Sequence, residues 1–584
     1  MTAGGPDELT VEERALLVPH FTSLDGPVFA LVNLPEVVKG ALFARYSRSP
    51  KSLRRLFLDE FADRAAGAPV AAAVGTARAE ALYERVFVEY GDDSVAQLGG
   101  VHLACEGVSN ILTKLLEWGR LMAYLEQSTR YIPYTDRPGG RWRYHVPTEI
   151  EDPALARRYG ETLDTAFETY PRWLEPVQAH YRRRYPRDPG DSEAVYRNTI
   201  RAKALDTLRG LLPAATQANV GLYGTGQAYE ALLLRLRASP LAEARAYGEL
   251  MLIELRKVIP AFLTRVDVPD RGGAWSRYLA ETREATAAVA EKLLADETPE
   301  PRPEVVLADF DPDGEVKVVA AALYAASGLP DDQLLARVRK LSVEERAAVL
   351  RAYVGERTNR RHKPGRAFER TSYRFDVLTD YGAFRDLQRH RLLTLEWQQL
   401  SPRHGYNFPE AVEEVGGGDD WRRVMEESAG LHDELVAAHL GLVAPYAVCM
   451  AYRIRFYMEM NAREAMHVLE LRTAPQGHPA YRRVCQAMHR LIAEQAGHRA
   501  IAGAMRFVDH SAVELERLEG ERRSDARRRA KREAWTQIRT TQAGQATVRF
   551  DPVPGSVHSE ATLTSYFEDP PPQLTPTVVV ATGA

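Results

Sequence analysis

Apolar positions along this 584-residue chain recur with two periods, and the order in which the periods follow one another occurs twice. Val101-His102-Leu103-Ala104-Cys105 alternates with period two, as a half-buried strand does, and runs into a helical pattern through GVSNILTKLLEWGR. Thr371 to Val377 alternates in the same way and runs into a second helical pattern, LTDYGAFRDLQRHR. An apolar segment precedes each strand: VVKGALFARYS at 37–47 and VVAAALYAAS at 318–327. Such self-similarity predicts a duplicated unit of mixed α and β structure. Further helices are expected over Asp433 to Arg455 and Pro479 to Gly497. The stretch from Leu440 to Tyr452 is the most apolar, but it is short and holds Pro445, so it predicts a buried helix rather than a membrane span.

The two copies are expected as domains over 1–295 and 316–517, joined by a linker at 296–315 that is rich in proline and acid. Past residue 517 come the run LEGERRSDARRRAKRE and a Pro- and Thr-rich tail, expected as a solvated basic helix and a largely unstructured end. A chain this long exceeds one hydrophobic core. The net charge of -4 argues against a surface built for nucleic acid. Cys105, Cys449 and Cys485 form no CxxC pair, which excludes a cysteine-rich zinc site and a disulfide scaffold, and no metal-binding set is assigned. The acidic start, MTAGGPDELT, lacks the basic and apolar regions of a signal peptide, so a cytoplasmic protein is expected.

Three constellations carry candidate chemistry. In QRHRLLTLEWQQLSPRHGY, Arg389, His390 and Arg391 close a helical pattern and precede Ser401 and Arg403. On one helix Arg389 and Arg391 would point about 200° apart, so they suit two anionic partners or two faces of a large ligand. In LEWGRLMAYLEQSTRYIPY, Arg120 is followed by Glu126, Ser128 and Arg130, a hydroxyl-rich turn with one guanidinium. In MNAREAMHVLELRTAPQGH, Asn461, Arg463, His467 and Arg472 lie in a helical pattern that His478 follows. Polar groups among so many apolar neighbours need partners when buried.

Together these pieces resemble the flavin-dependent thymidylate synthases. That family carries an Arg-His-Arg triplet, seven residues, Ser-x-Arg-Tyr, and later an Asn-Ala-Arg…Leu-Arg helix followed by a histidine. The second copy keeps Arg389-His390-Arg391, Asn461-Ala462-Arg463, Leu471-Arg472 and His478, but nine residues separate the triplet from Ser401. In the first copy Trp118-Gly119-Arg120 stands where the triplet belongs, while Glu126 to Tyr131 has the family spacing. Arg209-Gly-Leu-Leu-Pro213 looks like the family's Arg-x-x-Leu-Pro segment, and Arg237 is matched to the late arginine. The family's Gly-His-x-Ser/Thr-x-x-Glu is eroded in both: residues 91–97 read GDDSVAQ, and Glu369 survives with Pro364 in the histidine's place and His362 nearby.

The resemblance implies an α+β fold of two tandem thymidylate synthase-like domains, each a sheet packed with long helices. It implies a reductive methylation of dUMP, with FAD as cofactor and NADPH and methylenetetrahydrofolate as co-substrates. In the family, sites are shared between subunits. One composite site per chain follows here: Glu126, Ser128, Arg130, Arg209, Arg389 and Arg472 toward the nucleotide; Glu369, Arg391, Asn461, Arg463 and His478 toward the flavin; and Arg389, His390 and Arg391 at the reaction. The reciprocal site, with Trp118-Gly119, is expected to be dead. The resemblance also implies a homo-oligomer, a dimer forming a pseudo-tetramer. The erosion of the histidine motif leaves two alternatives: a flavoenzyme acting on another uridine nucleotide, or a catalytically inactive flavin- and nucleotide-binding protein.

Overall fold

In a computed structural model of the chain, four strands pass straight into helices without a loop, because each ends on a residue whose side chain caps the helix that follows. The structure describes residues 9–62 and 97–511, apart from a few single positions, and in the tail only Arg522 and two short strands. Ser109 Oγ accepts from Leu112 N at 2.9 Å, Thr225 Oγ1 from Ala228 N at 3.3 Å, Asp380 Oδ1 from Ala383 N at 2.8 Å and Asn461 Oδ1 from Glu464 N at 2.9 Å.

The strands are β1 (Gly100–Ser109), β2 (Met122–Glu126), β3 (Gln217–Thr225), β4 (Val305–Phe310), β5 (Ser372–Asp380), β6 (Thr394–Trp397) and β7 (Arg453–Asn461). They make two antiparallel sheets, ordered β1-β3-β2 and β4-β5-β7-β6. The helices that matter below are α1 (Glu36–Tyr46), α2 (Asn110–Leu116), α3 (Pro153–Arg184), α4 (Glu193–Leu208), α5 (Gly226–Arg237), α6 (Gly314–Ser327), α7 (Tyr381–Leu387), α8 (Gly418–Ala437), α9 (Ala462–Arg472) and α10 (Pro479–Glu494). The order β1-α2-β2…β3-α5 recurs as β5-α7-β6…β7-α9, so the protein is α+β and internally repeated. Alternate residues of β3 and β7 are buried, which accounts for their period-two patterns.

Laying β3 on β7 residue for residue pairs Pro213 with Cys449, Leu212 with Val448 and Ala214 with Met450. These equivalent residues meet one another. Pro213 bridges Cys449, Ala214 N donates to Val448 O at 2.8 Å, and Met450 N donates to Leu212 O at 2.9 Å. Each bond is the other's image, as the isologous contact of a dimer would be. The repeats therefore share one compact unit, residues 1–186 and 200–512, and a common core in which Leu431, Leu435 and Tyr446 join residues of the first repeat. Residues 187–199 and 513–584 form a smaller unit, in which Arg522 pairs with Asp188 and Asp191 at 2.8 and 2.6 Å.

Several expected elements change. The first strand runs on to Ser109 through a bulge between Cys105 and Val108 where Gly107 takes φ +69°, so its helix begins at Asn110. The expected helix over 433–455 stops at Ala437. Val443 to Tyr452 is buried, while Leu442 is exposed, and the segment is not an α-helix; it holds a 3-10 turn at Ala444–Ala447 and spends the backbone groups of Tyr446, Val448, Met450 and Ala451 on the other repeat. The expected linker contains β4 and the start of α6, since Val305 and Leu307 turn into the core. Helix α7 ends at Leu387, leaving Arg389, His390 and Arg391 in the turn beyond it, so the helical-face argument for the triplet does not apply. Residues 91–96 and the basic run past Arg522 lie outside the described residues. No helix among the described residues is long and apolar enough to cross a membrane.

Candidate functional site

Two aspartates, each three residues before an arginine, organise the densest cluster of charge. Asp206 precedes Arg209 across the end of α4, and Asp386 precedes Arg389 across the end of α7. Arg130, in the turn after β2, places Nε 3.0 Å from Asp206 and Nη2 3.5 Å from Asp386. Arg209 lies 3.3 Å from Asp206 and 3.9 Å from Asp386. Arg389 Nη2 meets Asp386 at 2.7 Å, and Arg472, at the end of α9, lies 3.7 Å from it. His478 Nε2 is 3.7 Å from Asp206, while its Nδ1 accepts from Ala480 N and so caps α10. Tyr481 lies beneath Arg130 and Arg472, its ring centre 5.5 Å from each guanidinium carbon.

Behind this cluster runs a buried ionic chain. Arg385 donates to Glu126 at 2.7 Å; Lys114 reaches Glu126 at 3.2 Å and Glu117 at 2.6 Å. Glu126 is therefore a buried counter-ion rather than a free acceptor. Burial alone would raise the pKa values of Asp386 and Asp206, but the surrounding arginines outweigh it and hold both carboxyls far below their ordinary range. Burial pushes His478 down to about 4, helped by Arg209 and Arg130.

The cluster opens on a cavity of about 120 Å³, lined by Ser128, Arg130, Arg209, Arg385, Asp386 and Arg389 among others. That is well below the roughly 300–1,000 Å³ of pockets that enclose a whole small molecule, so it is fitted to a charged end group. Gly382 forms one wall, where a Cβ would stand 3.0 Å from Arg209 Nε. Nη2 of Arg130 and Nη2 of Arg209 are buried without a hydrogen-bond partner. Guanidinium groups that line a small cavity and keep buried donors without a hydrogen bond suit an oxyanion.

On the other side of the triplet lies a second constellation. Arg391 donates across the repeat boundary to Met122 O. Arg463 donates to Pro364 O at 3.0 Å and meets Glu369 at 3.3 Å. Asn461 is the cap of α9 rather than a member of that helix. Arg472 Nε donates to Nε2 of His390 at 2.9 Å, so the His390 proton sits on Nδ1, 3.7 Å from Glu464 Oε1. His390, Glu464 and His467 bring ligand atoms within 4.8 Å of one another, the spacing a cation needs. Lys363, Arg360, Arg463, Arg391 and Arg472 surround them, and the resulting positive potential disfavours a cation and favours an anion. Burial raises Glu464 to about 7 and lowers His467 to about 4.

The reciprocal place in the first repeat is filled. Trp118 Nε1 donates to Leu395 O at 3.1 Å and packs edge-on against Trp397. A Cβ at Gly119 would stand 2.7 Å from Tyr124 Oη. Matching the strands puts Pro445 at the position of Arg209, Trp397 at that of Glu126 and Leu236 at that of Arg472. The match of Arg237 to the late arginine is thus one residue off, and Arg237 pairs with Glu249 instead. The nine-residue spacing before Ser401 reflects two extra residues after β6, which leave Arg403 exposed on a 3-10 turn.

The structure thus brings Ser128, Arg130 and Arg209 of one repeat to Arg389 and Arg472 of the other, and sets Glu369 beside Arg463. It places His478 with Asp206 at the first cluster, not with Arg463. Sequence reading missed Asp206, Asp386, Arg385 and Glu464. The repeated Asp-x-x-Arg spacing of DTLR and DLQR was the signal for the two aspartates.

A family model described as thymidylate synthase complementing protein matches residues 41–261 and 305–497, one segment in each repeat. A UPF0159 protein of Chlamydia muridarum is 38% identical over 526 residues, covering 89% of this chain and 99% of its own. Another UPF0159 protein, of Chlamydia pneumoniae, is 37% identical over 529 residues, with coverage of 89% and 99%. A third, of Thermoplasma acidophilum, is 29% identical over 522 residues, covering 84% and 99%. Among solved structures, a UMP/dUMP methylase of Streptomyces cacaoi bound with 5-bromo-dUMP is 19% identical. The match covers 35% of this chain and 97% of that one with a TM-score of 0.28, a likeness too slight to carry an argument.

Proposed function

The chain belongs to the thymidylate synthase complementing protein family, and on that premise we propose that it is a flavin-dependent methyltransferase acting on the 5′-monophosphate of deoxyuridine at one composite site per chain. The observation that carries this reading is the arginine cradle, whose members come from both repeats; Arg209 Nη2 is buried without a hydrogen bond, and Arg130 Nη2 has the Asp386 ion pair at 3.5 Å. Arg130, Arg209 and Ser128 would hold the phosphate. Arg389 and Arg472 would face the sugar and base, and Arg389 would stabilise negative charge developing on the pyrimidine. Glu126 acts one step back, fixing Arg385 and Arg389 from beneath.

The positive constellation beyond the triplet fits FAD: Arg391, Arg463 and Lys363 suit its pyrophosphate, and the capped start of α9 lies beside them. When bound, that cofactor would supply the hydride chemistry of the reaction. His390, oriented by Arg472, would sit between the two constellations and present its Nδ1 proton toward Glu464. NADPH and methylenetetrahydrofolate are the expected co-substrates. A second reading, a flavoenzyme that acts on another uridine nucleotide, is favoured by Pro364 where the family has a histidine.

The deciding experiment is the absorption spectrum of the purified protein, its bleaching by NADPH without air, and then incubation with dUMP and methylenetetrahydrofolate. Bound flavin and dTMP formation are expected. Flavin reduction without dTMP would favour the second reading, and protein that binds flavin but is never reduced by NADPH would favour an inactive binding protein.

A further inference from the structure

Among the described residues, Asp386 is the carboxylate on which four guanidinium groups converge: Arg389 at 2.7 Å, Arg130 at 3.5 Å, Arg472 at 3.7 Å and Arg209 at 3.9 Å. These are the arginines assigned above to the nucleotide, so the cradle already holds an anion of its own. Asp386 is largely shielded from solvent among cations, which hold its carboxyl well below the ordinary range. Nη2 of Arg130 lies 3.5 Å from Asp386 Oδ2. A phosphate oxygen bound to that nitrogen at a charge-assisted distance of about 2.8 Å would stand no farther than about 6 Å from the carboxylate. Two like charges so close in a poorly solvated place repel strongly.

We infer that Asp386 is a resident counter-ion that the phosphate of the ligand displaces, so that binding is an exchange of carboxylate for phosphate rather than the filling of an open cationic site. The inference rests on the reading of this cradle as a phosphate site. The four contacts of Asp386 keep the arginines aligned before a ligand binds, when four unbalanced guanidinium groups would otherwise repel one another. Asp206 differs in kind: it meets Arg130, Arg209 and His478 but not Arg389 or Arg472, and so it stays as a fixed support for the first repeat's arginines.

The two roles open to Asp386 give opposite signs. If it is displaced, removing its charge takes away a competitor and frees four cations for the ligand. If it is a fixed strut, removing it disorders the cradle. Titration calorimetry with dUMP on the full chain, and separately with inorganic phosphate, would compare wild type with Asp386→Asn and Asp386→Ala. Tightening of dUMP binding by about ten- to a hundredfold is expected in both variants, as for loss of a close like charge, and phosphate alone should tighten in the same direction. Weaker binding in the variants, or unchanged binding, overturns the inference while leaving the phosphate site standing. Loss of a cooperative thermal transition in both variants overturns it too, because a counter-ion that the fold requires is not one that ligand can displace. If wild type and variants alike bind neither dUMP nor phosphate, the reading of the site itself fails.

Discussion

Replacing Arg130 by alanine tests the composite site most directly. Arg130 is mostly buried, contacts aspartates from both repeats and lines the cavity. A hydrogen bond from a charged donor is typically worth about 1.5–3 kcal/mol, so losing it should weaken dUMP binding about ten- to a hundredfold. The variant should still fold, because Asp206 keeps Arg209 at 3.3 Å and Asp386 keeps Arg389 at 2.7 Å; a thermal melt checks this. Arg403→Ala is the internal control, since that arginine is exposed and its repeat has Pro445 where Arg209 stands in the other. Calorimetric titration should give one nucleotide per chain in wild type, a large loss for Arg130→Ala and little change for Arg403→Ala. Two nucleotides per chain, or a greater loss from Arg403 than from Arg130, would refute the pairing of the repeats.

Arg463→Ala should lower the flavin content of the purified protein while Arg237→Ala leaves it unchanged; equal losses would remove the second constellation as the flavin site. His478→Ala, beside Asp206, should weaken dUMP binding more than it lowers flavin content, and the reverse result would return His478 to the cofactor. Glu464 has its carboxyl raised from 4.5 to about 7 by burial, so its stabilising contribution is full at low pH and is lost as pH rises through 7. Glu464→Gln should therefore match wild type in chemical denaturation near pH 4.5 and exceed it by up to about 3 kcal/mol above pH 7; a pH-independent difference would show that the carboxyl does not titrate there. The second repeat expressed alone should be poorly soluble, because it would lose the bonds that Val448, Met450 and Ala451 make with the first repeat; a soluble, monomeric and fully active half would end the shared-site model.

The periods in the sequence determined the duplication and the class of fold. Alternation at Thr371–Val377, the helical spacing that follows and the capping residue between them are local signals, although the strand itself pairs with β4 and β7. The motif residues were legible for the same reason, as types at fixed spacing. Sequence could not say where a helix fails to form because a distant segment takes its backbone bonds, as happens from Tyr446 to Ala451. Nor could it weigh charge. Arg130 and Asp386 are far apart along the chain, and only the folding of one repeat against the other sets a carboxylate amid four arginines. Whether an arginine is a free hand for phosphate or half of an existing ion pair depends on distance and burial, because Coulomb energy in a desolvated cluster changes steeply over a few ångströms. Residue types showed which groups were available for an anion; the packing of the two repeats decided which of them were already taken.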